Sequence, residues 1–450
     1  MNDTIAAIAT AYGEGGIGII RISGPEAREI LSGIFYGKIQ NRRLSYGHVY
    51  DGEQIIDEVM AVYMKAPASY TAEDVVEINC HGSMVSLRKT LSLVLKKGAR
   101  MAEPGEFTKR AFLNGRLDLS QAEAVIDVVK AKSDRSFDVA VSQLEGSLSA
   151  EIGNIRKDIL DLMVDITVNI DYPDEDIEQM TYEKLESCLC IIKEKIEKLL
   201  RGSQAGRMIR EGIRVAIVGK PNVGKSSLMN GLLRESRAIV TEIPGTTRDT
   251  IEEAVSIRNL PVYLIDTAGI RDTDDTVEKI GIEKSKEAFN SADFIIFIVD
   301  GSEPLTEEDE EIMSYLEGRK SLVLINKQDI GNRVISGELA GRLPNSDIIE
   351  TALIRGEGIS EIEDKIEELV YGGQVSQSES VMVNNVRHID LLRKAGQAID
   401  DAKAMAARQE ALDIIEIDIR NAFDNLGEII GETVSDEILT EVFSRFCLGK

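Results

Sequence analysis

The sequence predicts a multidomain chain: an α+β N-terminal region, an all-α region, and an α/β region inserted into the helical one. Three observations lead there. A short apolar run at residues 213–218 opens into Gly219-Lys220-Pro221-Asn222-Val223-Gly224-Lys225-Ser226-Ser227 and then a helical pattern, the strand–turn–helix order of a P-loop. From Ser120 the texture changes from short strand-like runs to long helical patterns. After Gly372-Gly373 and a polar stretch the helical patterns resume, so the P-loop segment interrupts one helical domain. The expected divisions are residues 1–119, 120–212, 213–373 and 374–450.

Within the first division, residues 18–22, 48–50, 59–64 and 75–78 read as strands, and residues 83–97 carry apolar side chains at helical spacing. Gly98-Ala99 stops that helix, and Pro104-Gly105 punctuates the chain again. Gly13, Gly15, Gly16 and Gly18 make a dense early cluster, readable either as a flexible loop or as a phosphate or ligand loop. Long helical patterns follow at 121–132, 136–169 and 182–200, with Ser133 as a cap. The Tyr172-Pro173-Asp174-Glu175-Asp176 cluster breaks this run and reads as a solvated loop. Residues 202–212, with Gly202, Ser203, Gly206 and Gly212, read as a linker. Residues 386–408 and 412–426 are amphipathic helical patterns.

At 450 residues the chain is long enough for about three domains. It holds 52 basic and 78 acidic side chains, a formal charge of −26. Residues 1–119 hold 14 of each sign, so the acidic excess lies wholly beyond Leu119. A bulk acidic surface argues against broad non-specific nucleic-acid binding while leaving room for a local basic patch. Cys80, Cys188, Cys190 and Cys447 form neither a disulfide framework nor a zinc spacing. With no signal-peptide, transmembrane or lipidation pattern, the composition suits the cytoplasm.

The P-loop pattern exists for reasons of charge. A triphosphate needs converging N–H donors, and a glycine-rich turn opening onto a helix N-terminus supplies them. Gly219 and Gly224 let the backbone approach the phosphates, Lys225 reaches the β- and γ-phosphates, and Ser226 offers a hydroxyl to Mg²⁺. Downstream motifs follow in order. Gly245-Thr246-Thr247-Arg248-Asp249 places Thr247 as a second Mg²⁺ ligand. Asp266-Thr267-Ala268-Gly269 ends a strand, so Asp266 can hold Mg²⁺ through water and the Gly269 amide can sense the γ-phosphate. Asn326-Lys327-Gln328-Asp329 ends the apolar run 321–325, and Asp329 can accept from guanine N1 and N2. Adenine lacks that donor pair, a mismatch worth about 10⁴-fold in discrimination. Thr351-Ala352-Leu353 can bring a backbone amide to guanine O6. Each motif alone reads as a polar loop; at four successive strand ends they define a guanine-nucleotide domain.

Two details of that domain stay open on the residues alone. Many switch GTPases place Gln after Asp-x-x-Gly to orient the attacking water. Here Ile270 stands there, and Arg271, Asp272 and Glu278 in the following charged segment are the candidates, against a plain solvated loop. The amide of Asn222 can complete a monovalent-cation site beside the phosphates, doing what an arginine finger does, or can simply stabilise the turn.

Several stretches together resemble the MnmE (TrmE) family of tRNA-modification GTPases. They are Gly18-Ile19-Ile20-Arg21-Ile22-Ser23-Gly24, His81-Gly82, Leu113-Asn114-Gly115-Arg116-Leu117-Asp118-Leu119, Gln121-Ala122-Glu123-Ala124, the P-loop with Asn222, the Gly-Thr-Thr-Arg-Asp switch, and the tail Arg445-Phe446-Cys447-Leu448-Gly449-Lys450. The resemblance covers essentially the whole chain. It implies a folate-binding-like N-terminal domain that also forms a homodimer, and a helical domain carrying an inserted Ras-like GTPase. It implies a tetrahydrofolate site at Arg21, Glu77, Arg116 and Lys450, with Arg116 standing where some members have Lys. It implies K⁺ held by Asn222, Thr241, Ile243 and Thr246, and Glu278 as the catalytic residue that helps orient water, beside Lys225.

By the same resemblance, the nucleotide contacts run over Asn222, Val223, Gly224, Lys225, Ser226 and Ser227. They continue over Thr241, Glu242, Ile243, Pro244, Gly245, Thr246 and Thr247, then Asp266, Thr267, Ala268 and Gly269. Around the base they are Asn326, Lys327, Asp329, Thr351, Ala352 and Leu353, with Thr351 in place of a frequent Ser and Leu353 in place of Lys or Arg. The implied activity is K⁺-stimulated GTP hydrolysis with an FAD-containing partner, MnmG, installing an aminomethyl or carboxymethylaminomethyl group on C5 of the wobble uridine of certain tRNAs. A 5-formyl- or 5,10-methylene-tetrahydrofolate would supply the carbon. Cys447 matches a family cysteine of uncertain chemistry; nothing in the sequence around it lowers a thiol pKa. Two other readings remain: a ribosome-assembly switch, and a stand-alone folate-dependent transferase with a regulatory GTPase.

Overall fold

A computed structural model describes residues 3–11, 13–171, 181–235, 237–238, 252–266, 292–371, 381–447 and 449–450. It divides into two compact units. The first holds residues 1–129, 141–193 and 394–450; the second holds 130–140 and 194–393. Among the described residues each unit is built on one seven-stranded sheet.

The first sheet contains β1 (Ile5–Ile8), β2 (Gly15–Ser23), β3 (Phe35–Tyr36), β4 (Ser45–Asp51), β5 (Gln54–Met64), β6 (Val75–Gly82) and β7 (Arg100–Met101). Their order is β3-β4-β5-β6-β2-β1-β7, antiparallel except for the β1–β7 edge. The four expected strands are present and longer than expected; β1, β3 and β7 are additional. The short β3 and β7 are two residues each, below the length at which alternation is readable. Helix Met84–Lys96 covers one face through Leu87, Leu91 and Val94. Ser83 caps it, its Oγ accepting from Val85 N–H and Ser86 N–H.

The helical part of the same unit joins both ends of the chain. Helix Ser147–Asp171 packs on helix Leu412–Ile430, with Arg156 stacked 4.0 Å over Phe423 and paired to Glu432 at 2.6 Å. The expected continuous pattern 136–169 is corrected to two helices, Asp134–Leu144 and Ser147–Asp171. They part at Gly146, whose φ of +94° is left-handed and ends the first helix. Ser133 caps the first, accepting from Ser136 N–H at 3.2 Å.

The second sheet contains β8 (Ile213–Val218), β9 (Arg237–Ala238), β10 (Glu252–Ile257), β11 (Leu260–Asp266), β12 (Phe294–Asp300), β13 (Ser321–Asn326) and β14 (Ser346–Glu350). The order β14-β13-β12-β8-β11-β10-β9 is parallel through its first five strands, with β10 and β9 antiparallel at the edge. β12 and β13 are buried at every position, the near-continuous apolar run expected of strands covered on both faces.

The expected linker at 202–212 is also corrected. It contains helix Ser203–Glu211, which continues almost directly from Tyr182–Arg201. Its glycine is there for contact: a Cβ on Gly206 would stand 2.4 Å from the Val383 carbonyl oxygen. Ile209 is fully buried in the core of the second unit. Gly206 therefore marks close backbone approach rather than a flexible joint.

Candidate active site and a second ligand cluster

β8 ends at Val218, and the chain turns through Gly219 (φ +151°), Asn222 (φ +64°) and Gly224 (φ +117°) before helix Lys225–Glu235. A Cβ at Gly219 would lie 2.5 Å from Ile298 O, and one at Gly224 2.2 Å from Asn326 Nδ2, so both positions need glycine for space as well as for φ. Nζ of Lys225 donates to Gly219 O (2.6 Å) and Lys220 O (2.9 Å), so the loop's own carbonyls hold the ammonium in place. Ser226 is exposed at the first turn and Ser227 half-buried, while Val223 is buried and fixes the turn to the core. Asn222 is exposed at the lip of the loop. The loop is thus a phosphate cradle with its cation already in place.

The base end is built from β13 and the segment after β14. Asn326 acts as a bracket within the site. Its Nδ2 donates to Val223 O (2.7 Å), while its Oδ1 accepts from Leu353 N–H (3.1 Å) and Thr351 Oγ1 (3.3 Å). One buried amide therefore ties the phosphate loop to the base loop. Lys327 stands in the left-handed region (φ +65°), and its Nζ donates to Asp300 Oδ2 at 2.6 Å. Burial pushes the Asp300 carboxyl up, but the bonds from Lys327 and Ser302 outweigh it and hold it below the usual carboxylate range. Asp300 was not singled out from sequence; its place at the end of an all-apolar strand was the available signal.

Asp329 is 12% exposed, and its Oδ2 lies 3.6 Å from Arg355 Nε. Its Oδ1 is buried with no hydrogen-bond partner among the described residues. Leaving such an oxygen unpaired costs about 1–3 kcal/mol, which a base N–H would relieve; this is the feature a guanine needs. The amides expected to reach guanine O6 are all engaged. Thr351 N–H donates to Ile325 O (2.9 Å), Ala352 N–H to Glu357 O (3.3 Å), and Leu353 N–H to Asn326. The Ala352 bond is the longest of the three.

Other predicted residues fall elsewhere. Asp266 ends β11 beside Ile217 of β8, which puts its backbone next to the P-loop strand. Thr241, Glu242, Ile243, Pro244, Gly245, Thr246 and Thr247, together with Thr267, Ala268, Gly269 and Glu278, lie outside the described residues, as do Ile270, Arg271, Asp272 and the acidic cluster after Asp171.

The first unit holds a second cluster. Arg21 on β2 and Glu77 on β6 are register partners, and Arg21 Nε donates to Glu77 Oε1 at 2.9 Å. Arg21 also donates from Nη1 to the carbonyl of Gly449, 428 residues away, at 3.3 Å. Tyr70 lies between the cations: its ring centroid is 5.4 Å from Arg21 Cζ and 4.7 Å from Arg116 Cζ. Burial, with the charge of Arg21 beside it, lowers the pKa of Lys450. Arg21 thus links the set: it shares the Tyr70 ring with Arg116, pairs with Glu77, and lies close enough to Lys450 for its charge to act there. Tyr70 was missed, since a single Tyr between polar residues carries no pattern. Cys447 is exposed and free; its carbonyl accepts from Gly105 N–H and Lys450 N–H, both at 3.4 Å. The donor set fits a flat ligand with carboxylates and an N–H-bearing edge: a ring to stack on, guanidiniums for anions, and a carboxylate for paired N–H groups.

A parallel sheet with a phosphate loop after β8, a left-handed Lys after β13 and a buried acceptor two residues later define a P-loop guanine-nucleotide hydrolase. The comparisons narrow that class. The family model "MnmE helical domain" matches residues 119–447, and "GTP-binding protein TrmE N-terminus" matches residues 4–116. The chain is 50% identical over 457 residues to the tRNA modification GTPase MnmE of Clostridioides difficile, covering 100% of both chains. It is 50% identical over 459 residues to that of Alkaliphilus metalliredigens, again 100% of both. With the protein of the same name from Lactiplantibacillus plantarum it shares 48% identity over 456 residues, covering 100% of this chain and 98% of the relative. The chain belongs to the MnmE family of tRNA-modification GTPases.

Proposed function

We propose that this chain is a K⁺-stimulated GTPase that works as a homodimer with an FAD-containing partner, MnmG. Together they would add an aminomethyl or carboxymethylaminomethyl group to C5 of the wobble uridine of certain tRNAs. The observation that carries the reading is the bond from Arg21 to the Gly449 carbonyl. It brings the last residue of the chain to an Arg–Glu–Tyr–Arg cluster that suits a tetrahydrofolate, the source of the one-carbon unit. Arg21, Glu77, Arg116 and Lys450 would hold that ligand, and Cys447 stands nearby as a candidate for the transfer chemistry.

In the second unit, Lys225 and the P-loop amides hold the phosphates, Ser226 with Thr247 would hold Mg²⁺, and Asn222 with Thr241, Ile243 and Thr246 would hold K⁺. Those cations, when bound, neutralise charge developing on the phosphates. Glu278 orients the attacking water. The left-handed turn at Asn222, with its side chain exposed at the lip of the loop, supports the K⁺ assignment. Asn222→Ala is expected to abolish the difference in turnover between K⁺ and Na⁺ while nucleotide binding persists; an undiminished K⁺ response defeats that assignment.

Homodimerisation is supported by exposed apolar groups on the first sheet. Tyr46 (61% exposed) and Met60 (43%) are cross-strand partners, with Tyr36 (80%) on neighbouring β3 and Ile17 (64%) on β2. Such exposed groups on one sheet mark an association surface. The deciding experiment is nucleoside mass spectrometry of tRNA from cells with and without the protein. C5-substituted wobble uridines are expected to vanish without it, and an unchanged nucleoside profile rejects the reading.

A further inference from the structure

Lys220 occupies the first variable position of the P-loop, and neither phosphate binding nor the turn itself requires a cation there. Its side chain is 12% exposed, and its Nζ lies 3.1 Å from Oδ2 of Asp309, which is 1% exposed and 89 residues away. Asp309 is the third residue of helix Glu307–Leu316 and closes a capping box. The same Oδ2 accepts from Thr306 N–H (2.9 Å) and Thr306 Oγ1 (2.8 Å). Its other oxygen, Oδ1, is buried with no hydrogen-bond partner among the described residues. A buried carboxylate supplied only on one side depends on its single cation, and that cation depends on it.

The pair also has a mechanical position. The backbone carbonyl of Lys220 accepts from Lys225 Nζ at 2.9 Å, beside Gly219 O at 2.6 Å. A chain of contacts therefore runs from the helix after β12, through Asp309 and the Lys220 side chain, to the Lys220 carbonyl and the ammonium that meets the phosphates. The first half of the loop has little else to pin it: Pro221 and Asn222 are exposed.

We propose that the Lys220–Asp309 ion pair is a positioning device for the nucleotide site, tethering the front of the P-loop to the helix Glu307–Leu316 so that the cradle is set before the nucleotide arrives. Neither residue touches nucleotide; both act through the loop's shape. A preformed cradle favours ground state and transition state alike, so the pair's loss shows as weaker binding at nearly constant kcat.

The test uses the full-length protein, mant-GDP and mant-GTP titrations, and steady-state hydrolysis in K⁺. Lys220→Met is expected to weaken both nucleotides in parallel by about ten- to a hundredfold, with kcat within about threefold of wild type. Lys220→Arg keeps the charge and the reach and is expected to hold the affinity. Because Lys220→Met leaves Asp309 unpaired, its fold can suffer, and the double variant Lys220→Met/Asp309→Leu separates the two roles. Removing both charges is expected to recover part of the melting temperature lost in Lys220→Met, short of wild type because the capping box goes with Asp309, while nucleotide affinity stays weak. Wild-type affinity in Lys220→Met, recovery of affinity along with stability in the double variant, or a fall in kcat alone would each overturn the proposal.

Discussion

The two seven-stranded sheets carry their ligand sites in opposite ways. In the parallel sheet each functional group sits in a short loop at a strand end. Among the described residues three such loops, at 219–224, 326–329 and 351–353, are tied together through Asn326, because parallel strands deliver their ends to one side. In the largely antiparallel sheet the cluster is gathered from Arg21 on β2, Tyr70 before β6, Glu77 within β6, Arg116 after helix Glu106–Leu113, and Lys450 at the end of the chain. A site of the first kind is written as motifs. A site of the second kind is written as register and docking, which no local pattern contains.

The sharpest way to break this comparison is at the base pocket, where the expected effect is largest. Asp329→Asn removes a carboxylate expected to accept two charge-assisted bonds worth about 1.5–3 kcal/mol each. The affinity for GTP is therefore expected to fall by about 10²- to 10⁴-fold, read by fluorescence titration against a panel of nucleotides. An unaltered guanine preference would mean that the buried Oδ1 faces something other than a base, and that the motif had misplaced the pocket.

What the sequence made legible divides along the same line. The P-loop, the Asp266 strand end and the Asn326–Asp329 loop were readable because apolar strand and polar turn adjoin within about ten residues. The bracket made by Asn326 and the hold of Asp300 on Lys327 were not, because each joins residues 25 or more positions apart. Arg21 and Glu77, 56 residues apart, form an ion pair at 2.9 Å that no local pattern shows. Only the tail and Tyr70 turn that pair into a cluster. The same limit produced the linker reading of residues 202–212: Gly206 looked like flexibility because the Val383 carbonyl it accommodates is far away in sequence.

The second site offers an intermediate effect. Gly449 has φ +91°, and a Cβ there would stand 2.1 Å from Ile8 O. Gly449→Ala must therefore lift the tail off β1, removing the carbonyl that Arg21 holds and displacing Lys450. The loss of one such charge-assisted contact, about 1.5–3 kcal/mol, weakens 5-formyl-tetrahydrofolate binding by about ten- to a hundredfold in isothermal titration calorimetry. Binding of mant-GDP is expected to stay at the wild-type level, since the tail and the P-loop belong to different units. Equal folate affinity in wild type and variant would show that Arg21, Tyr70 and Arg116 form the site without the tail.

The smallest expected effect concerns a pair on the first sheet with no counterpart on the second. His81 Nδ1 lies 2.7 Å from Asp57 Oδ1, and Asp57 Oδ2 accepts from the His81 N–H at 2.9 Å and from Ser86 Oγ. The bond to Asp57 raises the His81 pKa above 6.5. Burial pushes Asp57 up, but the bonds from Ser86 and His81 outweigh it and hold it below 3.8. For the raised histidine, the stabilisation is complete below pH 6.5 and is lost as pH rises through the folded value. For the lowered carboxylate, it is complete above about 3.8 and is lost as pH falls through the folded value. The pair therefore stabilises the sheet most between the folded pKa of Asp57 and that of His81, and the upper edge of that window lies above the ordinary histidine value of 6.5. The His81 side chain is 67% exposed, so solvent screens the pair and the change in melting temperature is modest. Asp57→Asn is expected to move the His81 titration, followed by NMR, down toward 6.5 and to flatten the melting temperature against pH across neutrality. A His81 titration that stays in place would assign the ring's charge preference to Glu58 instead, whose charge also raises it.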